Sequence, residues 1–291
     1  MKPPSFEYAC PRSLAEALAL LAEHAGEAKI LAGGQSLVPI LNLRLAEPKV
    51  LVDLNRVPEL AFVRRENGSV RIGAMTRHRA LEVSLEAEAA EPMLARAASL
   101  VGHLAIRNRG TIGGSLAHAD PAAEWPLVAV ALDARVTLRS VRSERRIAAR
   151  ELFLGPLSTA AFPEEILTEI AFPAAPPNSR YGLRELARRP GDFAVVAVAC
   201  RVSFDDGGGC TMAALAVGGA HSIPLHVAEA ERVLIGSRGE EAALREAAEV
   251  AARAVDPGSD VHGSAAYRRR MVAVLARRAL GDAFGVPEAS A

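Results

Sequence analysis

At 291 residues, half of them apolar, the chain is long enough for two or three subdomains around a sizeable core. Its 34 acidic residues balance 34 basic ones, so no net field argues for DNA, RNA or an anionic membrane surface as a partner. Three scattered cysteines, Cys10, Cys200 and Cys210, exclude a disulfide framework and fall short of the ligand set of an iron–sulfur cluster. The segment Met1 to Phe6 lacks the apolar run of a signal peptide, and no apolar stretch is long enough to span a bilayer. A soluble, cytoplasmic protein without a membrane span is expected.

In chain order, Ser13 with Glu16 forms a capping box that opens a helix through about His24, with Leu14, Leu18 and Leu21 on one face. Gly26 is placed to stop it. Lys29-Ile30-Leu31 reads as a short strand running directly into Ala32-Gly33-Gly34, and Val50-Leu51-Val52-Asp53 as the next buried strand. Residues 1–57 are therefore expected to form a small α/β unit. Next, Asn67-Gly68 between two short apolar-alternating runs predicts a hairpin, because both turn residues tolerate positive φ. Helices are expected at 76–83, 91–101 and 125–132, and strands at 134–140 and 166–172. Pro173-Ala174-Ala175-Pro176-Pro177 is stiff and is expected to be unable to extend a sheet, which sets the expected boundary of a second unit, 58–177. In the third, 178–291, apolar strands at 193–204 and 210–217 flank a glycine-rich turn, and helices follow at about 226–235, 239–254 and 264–281. The last helix is expected to bury Tyr267, Met271, Val274 and Leu275 and to present its arginines to solvent.

Two glycine-rich loops carry the main chemical signal: Ala32-Gly33-Gly34-Gln35-Ser36 and Thr111-Ile112-Gly113-Gly114-Ser115. Glycine lets a ligand approach the main chain, and successive N–H groups can converge on a phosphate. Ser36, Thr111 and Ser115 add hydroxyl donors, and two loops suffice for the two phosphates of a pyrophosphate. Taken singly, a Gly-Gly pair is an ordinary turn. Neither loop fits G-x-G-x-x-G, and no Walker A, H-E-x-x-H or G-x-S-x-G sequence is present. His118, Asp120 and Glu124 match no common metal-ligand spacing and read as a polar lining beside the second loop; His103 and Trp125 read as structural. The chain thus offers a binding site without an acid–base or nucleophilic engine, as expected where a cofactor does the chemistry.

These residues resemble a known family. Leu31 to Pro39, Asn42-Leu43-Arg44-Leu45-Ala46 and Leu51-Val52-Asp53-Leu54 are similar to the FAD-binding medium subunit of molybdenum hydroxylases, the family of carbon monoxide dehydrogenase and xanthine dehydrogenase. The likeness continues through Ile72-Gly73-Ala74-Met75-Thr76-Arg77-His78, Ile106 to Ser115, Ala117 to Glu124, Arg188 to Ala194 and Tyr267-Arg268-Arg269, in order along nearly the whole chain.

The resemblance implies an α+β fold: two α/β FAD-binding subdomains of the vanillyl-alcohol oxidase (PCMH) type, then a C-terminal α+β domain with an antiparallel sheet and helices. It places Leu31, Ala32, Gly33, Gly34, Gln35, Ser36 and Leu37 on one side of the pyrophosphate and Thr111, Ile112, Gly113, Gly114 and Ser115 on the other. Val101 and Ala117 would pack near the rings, and Leu167 near the adenosine end. Glu124 stands where relatives often have aspartate, and Arg184 where many have lysine. The resemblance further implies no catalytic residue and no metal on this chain. It implies partners instead: a large molybdenum-cofactor subunit and a small subunit with two [2Fe–2S] clusters, joined as a dimer of heterotrimers. FAD on this chain would pass electrons to an external acceptor, which stays open among NAD⁺, quinone, oxygen and a carrier, as does the substrate. Two other readings stay open on the residues alone, a self-sufficient FAD-dependent oxidoreductase and a cofactor-free scaffold subunit.

Overall fold

The computed structural model describes residues 2–24 and 26–286. Among the described residues three larger sheets, each with its own helices, follow one another along the chain, with one two-stranded sheet besides.

The first contains β1 (Glu7–Ala9), α1 (Leu14–Glu23), β2 (Ala28–Leu31), α2 (Leu37–Asn42) and β3 (Val50–Asp53). Both outer strands run parallel to β3, in the order β1-β3-β2. Ser13 caps α1 by accepting from the Glu16 N–H, and Leu14, Ala17, Leu18 and Leu21 turn inward against Val50 and Val52. Because β2 is parallel to its neighbour and short, the chain leaves its C-terminal end straight into the first glycine loop, where open α/β sheets place their ligands.

The second is antiparallel, ordered β4-β5-β10-β6-β7: β4 (Val63–Glu66), β5 (Ser69–Gly73), β6 (Arg135–Arg139), β7 (Glu144–Ala148) and β10 (Ile166–Pro173), with a small β8 (Phe153–Gly155) and β9 (Ser158–Thr159) pair beside it. Its helices are α3 (His78–Glu82), α4 (Leu85–Ala90), α5 (Pro92–Leu100), α6 (Leu104–Arg109), α7 (Ile112–His118), α8 (Glu124–Ala131) and α9 (Ala149–Leu152). The helix expected over 76–83 starts two residues late because Arg77 bridges Thr111 in an extended conformation. That bridge sets the second glycine loop against this body. The helix expected over 91–101 begins at Pro92, with Glu91 as a cap whose carboxylate accepts from the Met93 N–H. β10 also reaches further than expected, pairing Pro173 with Ser69. At the last strand position proline's missing donor removes no needed ladder bond.

All eight residues of α8 are buried. Beyond Glu124 at its start it is apolar all round, because it lies between the second sheet's body and the third sheet. That third sheet is antiparallel, β11 (Ser179–Leu186), β12 (Val196–Phe204), β13 (Cys210–Gly218) and β14 (Leu225–His226) in sequence order. With α8 on one face and α12 (Ala265–Phe284) on the other, β12 is buried at every residue except Phe204. This explains why it is apolar at every position but Arg201 and Ser203. The helices α10 (Ala228–Leu234) and α11 (Glu241–Ala254) complete the layer.

The inward face of α12 differs from the expected one. Arg268, Val272, Leu275, Ala276 and Ala279 are buried, whereas Tyr267 and Val274 are exposed. Arg268 is tolerated inside because its guanidinium donates to the Val195 and Gly219 carbonyls and to Asp260. A second buried cation joins the second and third bodies: Arg201 Nη1 on β12 pairs with Glu91 at 2.8 Å.

Candidate functional site

A cleft of about 640 Å³ is lined by residues of the first and second bodies together with Gly191, Asp192 and Phe193 of the third. This is within the size range of cofactor pockets. Ala32 to Leu37 form one wall, and Thr111, Gly113, Gly114 and Ser115 the facing one. Val101, Ala117, Glu124 and Leu167 line its further reaches. The structure thus brings together most of the residues singled out in the sequence. It turns three of them elsewhere: Leu31 ends β2 outside the lining, and Ile112 is fully buried in the core. Arg184 lies outside the lining too and pairs with Asp282 at 2.6 Å.

The two walls differ in what they offer. In the first, no described residue accepts from the backbone N–H groups of Gly33 to Leu37, while carbonyls of this loop do accept: Gln35 Nε2 donates to that of Gly33, Asn55 Nδ2 to that of Ala32, and the Val38 and Ile40 N–H groups to those of Gly34 and Ser36. Gly34 adopts φ +75°, which glycine accepts without strain. The Ser36 hydroxyl caps nothing. In the second wall the amides are already engaged. Ile112 donates to the Thr76 carbonyl, Gly113 to that of Ala74, Gly114 to Thr111 Oγ1 and Ser115 to the Thr111 carbonyl. The expectation of a phosphate nest from both loops is therefore corrected for the second. Its contributions are shape and side chains, among them the Thr111 and Ser115 hydroxyls.

The glycines are demanded by the meeting of main chains. A Cβ on Gly33 would lie 2.5 Å from the Arg109 carbonyl oxygen, and one on Gly113 would lie 2.4 Å from the Ala74 Cβ. The absent side chain at Gly33 lets the first body approach the second, and that at Gly113 lets the second loop pack on the main chain after β5. An open run of amide donors and the Thr111 and Ser115 hydroxyls, in one cleft lined by residues of all three bodies, fit the pyrophosphate of a dinucleotide.

Glu124 is buried at the start of α8, and its carboxyl is pushed up to about 8, first by burial, then by Glu185 and Asp120. Glu185 on β11 is pushed up to about 7 by burial, with one carboxylate oxygen unpartnered. His118 and Asp120 also line the cleft, yet no group of ligating side chains able to hold a metal ion occurs among the described residues. Cys200 is wholly buried, its thiol pushed up to about 12. Sequence reasoning missed Lys29 and His78 in the lining, although His78 stands in one of the motifs quoted above.

Comparison with known proteins agrees with this geometry. Residues 4–175 match the family described as the FAD binding domain in molybdopterin dehydrogenase, and residues 181–283 the CO dehydrogenase flavoprotein C-terminal domain. The chain is 44% identical to the 6-hydroxypseudooxynicotine dehydrogenase complex subunit alpha of Paenarthrobacter nicotinovorans, over 98% of this chain and 96% of the other. It is 42% identical to the nicotine 6-hydroxylase medium subunit of the same organism, over 97% and 99%. Its fold matches that of the reconstituted CO dehydrogenase from Oligotropha carboxidovorans with a TM-score of 0.96, at 38% identity, covering 99% of this chain and 100% of that one.

Proposed function

The chain belongs to the FAD-binding medium subunits of the molybdenum hydroxylases, and we propose that it works as the electron-transfer subunit of such a complex, between [2Fe–2S] clusters on a partner and an external acceptor. FAD, when bound, supplies the exchange between electrons arriving singly and electrons leaving in pairs. The amides of Gly33 to Leu37 would hold the pyrophosphate, and the Thr111 and Ser115 hydroxyls would face it. Val101, Ala117 and Leu167 would shield the ring ends from water, and Glu124 would meet the cofactor in its neutral form near pH 7. The segments 1–57, 58–177 and 178–291 would serve as two cofactor-binding subdomains and a closing domain.

One observation carries this reading: the open amides of the first glycine loop and the hydroxyls of the second line one cleft, and no group of side chains able to hold a metal ion occurs among the described residues. With Cys200 and Cys210 buried, the clusters belong on another chain, the small subunit, and substrate oxidation on a large molybdenum-cofactor subunit. A cytoplasmic dimer of heterotrimers is the matching assembly. Co-expression with those two subunits should yield a complex whose flavin absorbance bleaches when the organic substrate is added, whereas the isolated FAD-loaded chain stays oxidised. Bleaching of the isolated chain by that substrate would make it self-sufficient. Failure to take up FAD at all would make it a scaffold.

A further inference from the structure

His78, the first residue of α3, has an environment that fixes its protonation and not only its position. It is 4% exposed, and its ring stacks near that of Trp125, with centroids 6.1 Å apart. Trp125 Nε1 lies 3.0 Å from His78 Nδ1. An indole N–H only donates, so His78 Nδ1 must carry a lone pair, and the imidazole proton sits on Nε2. An imidazolium would set two donors against each other. Burial, followed by the nearby Arg77 and Arg107 guanidiniums, pushes His78 down to about 4, which agrees with a neutral ring.

The other edge of the ring faces the second glycine loop. A Cβ on Gly110 would come within 2.6 Å of His78 Cδ2 and 2.7 Å of Nε2, so the imidazole occupies the space that this glycine leaves open just before Thr111. The His78 N–H also donates to the Gly110 carbonyl at 3.1 Å. No described residue accepts from Nε2, and His78 lines the cleft. On this wall the amides of Ile112 to Ser115 are already consumed, so donors must come from side chains. Thr111 and Ser115 offer rotatable hydroxyls, whereas His78 offers an oriented ring N–H.

We propose that His78 is a positioning residue for the cofactor, donating Nε2–H to a pyrophosphate oxygen of FAD and held in that tautomer by the Trp125 indole. The proposal rests on the FAD-binding reading. It assigns the second wall a neutral, directional donor opposite the amides of the first, and it links that donor through Trp125 to Glu124, the adjacent cleft residue on α8.

The test uses the full chain with ¹⁵N-labelled histidine, the His78 signals being identified by their loss in His78→Gln. Long-range ¹H–¹⁵N correlation should show a protonated Nε2 and a bare Nδ1, with the Nε2 proton moving downfield on adding FAD. ADP should reproduce the shift and riboflavin should not. An Nδ1–H tautomer, an imidazolium, no response to FAD, or a response to riboflavin alone would each overturn the proposal. Fluorescence titration supplies the second arm. His78→Phe should weaken FAD binding about tenfold, the upper range for one neutral hydrogen bond, and His78→Gln, which keeps a donor near Nε2, should restore most of it. Unchanged affinity in His78→Phe would count against it. If that variant does not fold, the tautomer and its response in the wild-type chain decide. A wild-type chain that binds no FAD would instead refute the cofactor reading itself.

Discussion

Gly33 lies against the main chain of Arg109, so that a Cβ at this position would sit 2.5 Å from the Arg109 carbonyl oxygen and 2.6 Å from the Gly110 Cα. The first glycine loop is thereby seated directly on the approach to the second, and the cleft exists because two backbones touch.

Gly33→Ala should consequently damage the fold and the site together. Overpacking of this kind costs ~1–3 kcal/mol, and the backbone cannot yield without widening the cleft. Thermal unfolding of the apoprotein should show the loss, and FAD titration a weaker Kd. Gly155→Ala is the control, since a Cβ there meets nothing within 4 Å and should change neither.

Glu124 gives the apoprotein a pH signature. Its folded carboxyl titrates at about 8, and that of the unfolded chain near the ordinary glutamate value. Below the unfolded value both states are protonated and the group costs nothing. As pH rises, the unfolded chain ionises first and stability falls, levelling off above the folded value. Glu124→Gln should therefore match wild type near pH 4 and gain on the order of a few kcal/mol by pH 9, read from urea midpoints at each pH. A variant whose advantage does not grow with pH would show that Glu124 ionises freely in the fold.

The Glu91–Arg201 pair ties the body bearing the second loop to the third sheet, with both side chains buried. Arg201→Met should lower unfolding stability by about 3–5 kcal/mol, because it strands a buried carboxylate. Adding Glu91→Gln should recover much of that. Urea unfolding of the single and double variants would show whether the pair couples the two bodies.

Arg184→Ala should leave FAD affinity within about twofold, because its guanidinium is committed to Asp282 rather than the cleft. An exposed pair of this kind contributes ~0–1 kcal/mol, so the unfolding midpoint should barely move. A large loss of FAD affinity would show that the side chain swings to the cofactor when it binds.

Much of this architecture is legible in the chain. The runs at β12 and β13, the cap at Ser13 and both glycine loops announce themselves through composition and spacing. What stays hidden depends on partners distant in sequence. Ser179 to Leu186 mixes polar and apolar residues and becomes a strand only because β12 supplies its full ladder. The short helices α6 and α7 carry too few turns for a periodic pattern. Arg268 reads as a solvent residue until the Val195 and Gly219 carbonyls arrive beside it. The second loop looks like a twin of the first, and the difference lies in Ala74 and Thr76, which take its amide hydrogens from another part of the chain.

The small parallel sheet that carries the first loop has a further consequence. Its core, α1 against β3 with Leu54, Val57 and Leu60, holds far fewer buried residues than either neighbour's and leans on Met75 and Ile166 of the second body. It is the wall with the open amides, so a bound dinucleotide would act as a bolt fastening the lightest part of the molecule to the heaviest. Emptying the cleft should then free the N-terminal segment long before the rest melts, and hydrogen exchange of β2 and β3 would accelerate in the apoprotein while β12 stays silent. Cofactor loading, on this view, is also a late step of the chain's own maturation.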